Sequence, residues 1–343
     1  MEHDMGRLLR WGILGTGNIA GQFAAGMAGS HRGQIVGVGS RSEISAKTFA
    51  QRHGVANSYG SYEQLLADQN VDAIYLSLPN SLHHEWTLKS LAAGKNVLCE
   101  KPIAVNAAQA EEMFAAAEKV GRLLAEAFMY VSHPQTKAVL QTVRSGVIGT
   151  VRLVRTSFCY RTSKVDGNIR FSREMAGGAL MDVGCYCLHF SRLVMGKEPT
   201  SVHAVAQMHE NGVDEMTAGV LGFESGAAAT FSCGTRVQAD NAAAICGTDG
   251  YVEVPVPWKP ALTGASFTIA RSTPPKQDGP AASSLPPRQT ITADATAPLY
   301  AMEADDFAAA VLDGAAPTVS RADSLGNMRV LDEIRRQIGL RFP

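Results

Sequence analysis

Along the first 130 residues, short apolar runs alternate with helix-length amphipathic stretches. The runs Leu9–Leu14, Gln34–Ser40, Ala73–Ser77, Asn96–Cys99 and Leu123–Ala127 predict strands. Helices are predicted between them over Asn18–Ala28, Ser45–His53, Tyr62–Ala67, His83–Ala93 and Ala107–Val120. Gly94 and Gly121 each follow a helix just before a strand, where a left-handed cap is wanted. Such alternation is the pattern of a parallel sheet wound by crossover helices.

Beyond residue 130 the texture changes. Predicted helices Pro134–Ser145 and Gly178–Met195 precede a succession of strand patterns at Ser201–His209, Glu215–Phe223, Ala227–Val237, Ala242–Cys246, Tyr251–Val254 and Ser266–Ala270. Polar turns at Glu224-Ser225-Gly226 and Thr248-Asp249-Gly250 join some of them, which predicts an antiparallel sheet. The stretch Ser272–Thr290 is rich in Pro, Ser and Gly and reads as a mobile surface loop, and two helices, near Tyr300–Leu312 and Ala322–Ile338, close the chain.

Composition narrows the function classes. A length of 343 residues points to two domains, and 45% hydrophobic residues exclude wholesale disorder. With 31 basic and 32 acidic residues and no long block of either sign, the chain lacks the footprint of a nucleic-acid or anionic-membrane binder. No apolar run approaches the roughly 20 residues of a membrane span, and the start has no signal-peptide core. Six sparse cysteines predict reduced thiols and a cytoplasmic location. Small molecules and other subunits are the expected partners.

Gly15-Thr16-Gly17-Asn18-Ile19-Ala20 follows the first strand and opens the first helix, the context a dinucleotide fingerprint requires. Gly15 permits the tight turn, Gly17 lets the backbone approach a pyrophosphate, and Ala20 allows close helix–strand packing. Some 20 residues on, where an NAD enzyme usually carries an acid, stands Gly39-Ser40-Arg41-Ser42. Arg41 with its neighbouring hydroxyls suits a 2′-phosphate and favours NADP over NAD, the alternative being a solvated loop charge.

Further along come Ser77-Leu78-Pro79-Asn80, His83-His84, Glu100-Lys101-Pro102 and Gly177-Gly178-Ala179-Leu180-Met181-Asp182-Val183-Gly184-Cys185-Tyr186. Together these resemble the Gfo/Idh/MocA oxidoreductase family in motif and order. The resemblance implies an α/β protein: a Rossmann NADP-binding domain over residues 1–130, then an α+β domain over 131–343 with a large, mainly antiparallel open sheet. It places the site between the two, with the terminal helix free to reach back to the first domain. It nominates Lys101 as catalytic, and Gly15, Thr16, Gly17, Asn18, Ile19, Ser40, Arg41, Ser77, Leu78, Pro79, Asn80, His83, Glu100 and Lys101 as cofactor contacts.

Asp182 and Tyr186 share a helical face at i,i+4. Many inositol-dehydrogenase-like members carry His at the second position. Tyr there resembles the branch of glucose-fructose oxidoreductase, trans-dihydrodiol dehydrogenase and NADP-dependent D-xylose dehydrogenase, and nominates Tyr186 as proton acceptor, with the Lys101 ammonium lowering its pKa. Asn168 and Arg170, in the polar run after Tyr160, are candidate substrate binders beside Lys101, Asp182 and Tyr186. His189 reads either as a partner to Tyr186 or as a packed core residue, while one of His83 and His84 is a candidate cofactor or substrate contact. No metal-ligand spacing is present.

The expected function is NADP-dependent hydride transfer with a cyclic sugar hydroxyl, an aldose such as D-xylose giving its lactone. Alternatives are trans-dihydrodiol oxidation and, from another class, a non-catalytic NADP(H) sensor. The open sheet calls for a cover, so a homodimer or homotetramer is expected.

Overall fold

In the computed structural model, residues 7–271 and 287–343 are described. The first half runs β1 (Leu9–Leu14), α1 (Asn18–Gly26), β2 (Gly33–Gly39), α2 (Glu43–His53), β3 (Asn57–Tyr59), α3 (Tyr62–Ala67), β4 (Ala73–Leu76), α4 (His83–Ala92), β5 (Asn96–Glu100), α5 (Ala107–Val120) and β6 (Leu124–Ala127). Its six strands lie in the order β3-β2-β1-β4-β5-β6, every pair parallel. The order reverses between β1 and β4, which opens a crevice at their carboxyl ends where such sheets bind ligands. Ser42, Ser61 and Asn106 cap α2, α3 and α5 through their side chains, and α5 ends at Gly121 in the left-handed conformation (φ +62°).

Aromatic packing fixes α1 on this sheet. Phe23 of α1 stacks on Tyr75 of β4 with ring centroids 3.7 Å apart, and Trp11 of β1 meets Phe23 edge-on at 5.6 Å. Pairs of this kind contribute about 0.5–1.5 kcal/mol beyond simple burial.

The second half comprises α6 (Pro134–Arg144), β7 (Val151–Cys159), α7 (Cys185–Met195), β8 (Ser201–Met208), β9 (Asp214–Gly222), β10 (Ala228–Gly234), β11 (Ala243–Gly247), β12 (Gly250–Val254), β13 (Ser266–Arg271), β14 (Arg288–Thr292), α8 (Leu299–Asp313) and α9 (Arg321–Ile338). Eight strands order as β14-β13-β12-β11-β7-β10-β9-β8. The sheet is mostly antiparallel, with one exception: the β8-β9-β10 meander returns beside β7 so that β7 and β10 run parallel. Short turns in the sequence reveal neighbours joined by hairpins but not this long-range pairing. Buried α7 covers one face of β7 and β10.

One expectation is corrected. Arg288–Thr290, read as the end of a surface loop, belongs to strand β14, where they pair with β13. The remaining residues of that loop, up to 286, lie outside the described residues. Short, polar β3 had no pattern to announce it.

The closing helices lie against the first sheet's helices. Trp11 meets Phe307 of α8 at 5.1 Å, and the α1–α8 approach is so close that a Cβ on Gly26 would sit 2.7 Å from that of Tyr300. Asp332 of α9 accepts a hydrogen bond from the first amide of α5 (2.9 Å). All six cysteines are free, and among the described residues no helix is long and apolar enough to cross a membrane.

Candidate active site

Lys101 leaves the carboxyl end of β5, followed by a cis peptide to Pro102, and reaches across to the second half of the chain. Opposite it, residues Leu180–Gly184 form a π-helical turn that runs directly into α7. Such turns recur at functional sites because they break the regular helical stacking of side chains. Here the turn presents the Asp182 carbonyl to Lys101, whose Nζ donates to it at 2.7 Å and lies 3.4 Å from Asp182 Oδ1. The same ammonium sits 5.1 Å from the centre of the Tyr186 ring. Lys101, Asp182 and Tyr186 therefore meet at one place.

The Asp182 carboxylate is the hub. Its Oδ2 accepts from Tyr160 Oη at 2.6 Å and from Arg170 Nε at 2.7 Å. Burial favours its neutral form, but the Lys101 and Arg170 charges prevail and hold its pKa at about 2. Burial likewise disfavours the Lys101 ammonium, and the Asp182 charge reverses that, raising its pKa above the usual lysine value. Lys101 is thus a fixed cation at neutral pH.

Tyr186 departs from its expected state. Its hydroxyl donates to Met129 Sδ at 3.2 Å, and its ring packs among Phe128, Tyr130, Phe158 and Trp258. Burial drives its pKa well above 10, opposite to the lowering expected from Lys101, because the ammonium faces the ring rather than the oxygen. The phenol is held protonated.

Several nominated residues have other tasks. His83 is buried, with Nδ1 2.9 Å from the Pro102 carbonyl and Nε2 2.8 Å from the Leu78 carbonyl. The neutral ring has one N–H and donates it to one of these carbonyls, which ties it to the Leu78 and Pro102 turns. Burial brings its pKa down to about 4. Glu100 turns its carboxylate inward to accept from the Tyr75 hydroxyl, leaving only backbone for a cofactor. Asn168 spends its amide locally, donating to the Lys164 carbonyl (2.9 Å) and accepting from Arg170 N (3.1 Å), so it shapes the loop that delivers Arg170. His84 pairs with Glu112 on the α4–α5 side and stands outside the site. His189 is packed in the core, stacked on Phe128 (4.2 Å) and hydrogen-bonded to Tyr130 Oη at 2.6 Å.

The fingerprint turn fits a dinucleotide. Gly15 has φ +104°, a left-handed value that a side chain would strain. Gly17 caps α1 with extended backbone and no side-chain bond, and a Cβ built there would meet nothing within 4 Å. Open space over free helix N–H groups is what a pyrophosphate needs. Thr16, Gly17, Asn18 and Ile19 surround it with at least partial exposure, whereas Ala20 is buried against the sheet. Thr16 Oγ1 lies 3.5 Å from Ser40 Oγ, and exposed Arg41 follows Ser40 beyond the end of β2. Ser77 Oγ donates to the Leu14 carbonyl (2.9 Å), tying β4 to the fingerprint, and Asn80 donates across to the Ala176 carbonyl (2.9 Å). Leu78 is buried and Pro79 partly so.

Sequence reasoning overlooked Tyr160, Phe158 and Trp258. Phe158 and Tyr160 stand two apart across the end of β7, so the period of two could have placed both on one face. Trp258 stacks on Phe158 (5.7 Å, 9°) from a loop some 100 residues on, with no local signal.

A parallel nucleotide-binding sheet joined to a lysine–aspartate–tyrosine cluster defines an oxidoreductase of the NAD(P)-binding Rossmann class. Residues 9–128 match the model of an oxidoreductase family with an NAD-binding Rossmann fold, and residues 136–253 match its C-terminal domain. The chain belongs to the GFO/IDH/MocA family. It is 34% identical to trans-1,2-dihydrobenzene-1,2-diol dehydrogenase of Xenopus tropicalis, over 97% of this chain and 99% of that one. D-xylose 1-dehydrogenase (NADP(+)) 2 of Haloferax volcanii is 34% identical over 95% and 96% of the two chains. Among solved structures, the 3-ketoreductase KijD10 of Actinomadura kijaniata, in complex with NADP and TDP-benzene, superposes with a TM-score of 0.85 at 30% identity, covering 97% of this chain and 98% of that one.

Proposed function

We propose that the protein is an NADP-dependent oxidoreductase interconverting a cyclic sugar or diol hydroxyl and the corresponding carbonyl. The observation that carries this reading is the meeting of Lys101 and Tyr186 beside the crevice of the fingerprint sheet. A nicotinamide dinucleotide, held by Gly15, Gly17 and the first N–H groups of α1, would supply hydride transfer to and from the substrate carbon. Lys101, charged at neutral pH, donates a hydrogen bond to the reacting oxygen and stabilises the negative charge that develops there. Tyr186 exchanges the proton: in reduction its hydroxyl gives the proton to the nascent alkoxide, and in oxidation its phenolate takes one from the substrate hydroxyl. A protonated phenol is ready for the reductive direction at neutral pH, so oxidation should favour alkaline pH. Arg170, anchored on Asp182 through Nε, keeps its remaining guanidinium N–H groups for neighbouring substrate hydroxyls, the Tyr160 oxygen can accept from one, and Phe158 and Trp258 supply an apolar wall for a ring.

NADP rather than NAD follows from Ser40 and Arg41 and from the lack of a carboxylate at that place in Gly39–Ser42. The similarity to the NADP-dependent xylose dehydrogenase and the NADP-bound ketoreductase supports it. Self-association is part of the same reading. The second sheet carries a concavity of about 660 Å³ among Arg155, Thr230, Glu253 and Thr268, residues a second copy could cover. The deciding experiment is a panel of aldoses and cis and trans diols with NADP and NAD, read at the absorbance of the reduced nicotinamide. Turnover of a sugar or diol with NADP preferred is expected, and reduction of neither cofactor by any member would overturn the proposal.

A further inference from the structure

The π-helical turn that brings Asp182 to Lys101 begins without a cap of its own. Gly177, Gly178 and Ala179, which lead into it, carry no side-chain acceptor for its first amides. Close packing keeps the glycines bare. A Cβ on Gly177 would lie 2.5 Å from the Ile169 carbonyl oxygen, and one on Gly178, whose φ is +108°, would collide with Asp214 Oδ1. Gly178 N also donates to the Arg170 carbonyl at 2.8 Å, so this short segment holds the Arg170 loop as well.

The missing cap comes from the start of β9. Asp214 Oδ2 accepts from Leu180 N at 2.8 Å and from Thr217 Oγ1 at 2.7 Å, and both side chains are fully buried. Oδ1 has no hydrogen-bond partner among the described residues. Burying a carboxylate is a costly way to satisfy one amide. Burial lifts its pKa to about 6, opposed by the bonds from Thr217 and Leu180, which leaves it charged at neutral pH beside the positive end of a helix. The position gives it leverage. Leu180 stands two residues before Asp182, whose amide donates to the Gly178 carbonyl at 3.0 Å and whose own carbonyl accepts from Lys101 Nζ at 2.7 Å. With its first amide released, the turn is free to relax toward ordinary helical bonding, which turns Asp182 away from Lys101.

We propose that Asp214 is a positioning residue for the reaction, fixing the start of the π-helical turn and thereby holding Asp182 against Lys101. This rests on the oxidoreductase reading above and adds to it a residue remote from the reacting atoms. The charges that act most on Lys101 are those of Asp182, Cys185, Glu100 and Arg170, so Asp214 influences it through the turn. A catalytic group displaced by about 1 Å can lose about 100-fold in rate.

The test reads the Lys101 pKa by NMR of isotope-labelled lysine ε-carbons, assigned with Lys101→Met, beside kcat and KM on the best substrate of the aldose and diol panel. Asp214→Val removes the acceptor, Asp214→Asn keeps one in nearly the same place, and Thr217→Val removes only the hydroxyl that steers the carboxylate. Circular dichroism and NADPH binding check that each variant folds. Asp214→Val should lower the Lys101 pKa by about half a unit or more and kcat by about tenfold or more, with KM changed less. Thr217→Val should move both the same way, with about a threefold loss in kcat, and it carries the test if Asp214→Val does not fold. Asp214→Asn should stay within about twofold of wild type in kcat, with the Lys101 pKa unmoved. A wild-type Lys101 pKa in folded Asp214→Val or Thr217→Val, whatever turnover does, or equal losses in Asp214→Asn and Asp214→Val, would overturn the proposal. Absence of turnover by wild type across the whole panel would instead count against the oxidoreductase reading, and the Lys101 titration would still decide this one.

Discussion

Asp182→Asn isolates the electrostatic centre of the site, since it removes one charge with almost no change in shape. In the native protein the carboxylate stands 3.4 Å from Lys101 Nζ, buried on both sides. At an effective permittivity of about 20 a pair at this distance is worth about 5 kcal/mol, which sets an upper bound of about 3–4 pH units on the support Asp182 gives to the Lys101 ammonium. With the charge gone, burial, the largest influence, and the Arg170 cation are opposed only by weaker neighbours such as Glu100, and the Lys101 pKa should fall. The assay is the pH profile of kcat/KM for carbonyl reduction from pH 6 to 10, with NADPH binding as control. The alkaline limb should move down by at least one unit, with the loss growing toward pH 10. Stability should respond as well. A carboxylate with a folded pKa near 2 and an unfolded value of 3.8 contributes about 2.5 kcal/mol above pH 4, lost as pH falls through 2. Asp182→Asn should lack this acid-dependent increment. A variant whose alkaline limb matched wild type would show that Lys101 is not governed by Asp182.

Three more outcomes follow from other parts of the molecule. Tyr186→Phe should fold and bind NADPH normally, since ring packing is retained, yet lose about 100-fold or more in reduction; wild-type turnover would move the proton to another residue. Arg41→Ala should weaken NADP about tenfold or more and NAD little, measured by equilibrium binding, and equal losses would remove Arg41 from the 2′-phosphate. Glu126, whose Oε1 accepts from Ile103 N (2.9 Å), is buried and has its pKa raised to about 7. Its neutral form stabilises the fold fully below about pH 4.5, and up to about 3 kcal/mol is lost as pH rises through 7. Denaturation of Glu126→Gln should show that slope flattened, and an unchanged slope would assign it to other groups.

How much of this was legible in the chain depended on range. The fingerprint at Gly15–Ala20 and the strands around it declare themselves locally, because turn chemistry and helix capping act over a few residues. Lys101 and Tyr186 were readable through motifs, but their mutual orientation was not: the π-helical turn before α7 decides where Asp182 faces, and no composition signal marks it. His83 misled for a related reason. Its position after β4 suggested the crevice, whereas two backbone carbonyls from separate turns claim its ring. Trp258 reaches the site only because the second sheet folds β12 and β13 beside β11 and β7, a pairing between distant segments. Parallel β7–β10 escaped notice for the same cause.

The central claim is direct hydride transfer between a sugar or diol carbon and NADP, and a carbon-deuterated substrate tests it most directly. The best oxidised aldose or diol of the panel, deuterated at the reacting carbon, should be turned over with NADP while the reduced cofactor is examined by mass spectrometry. One deuterium should appear in NADPH for each product molecule formed. Deuterium released to solvent, with unlabelled NADPH, would contradict the account.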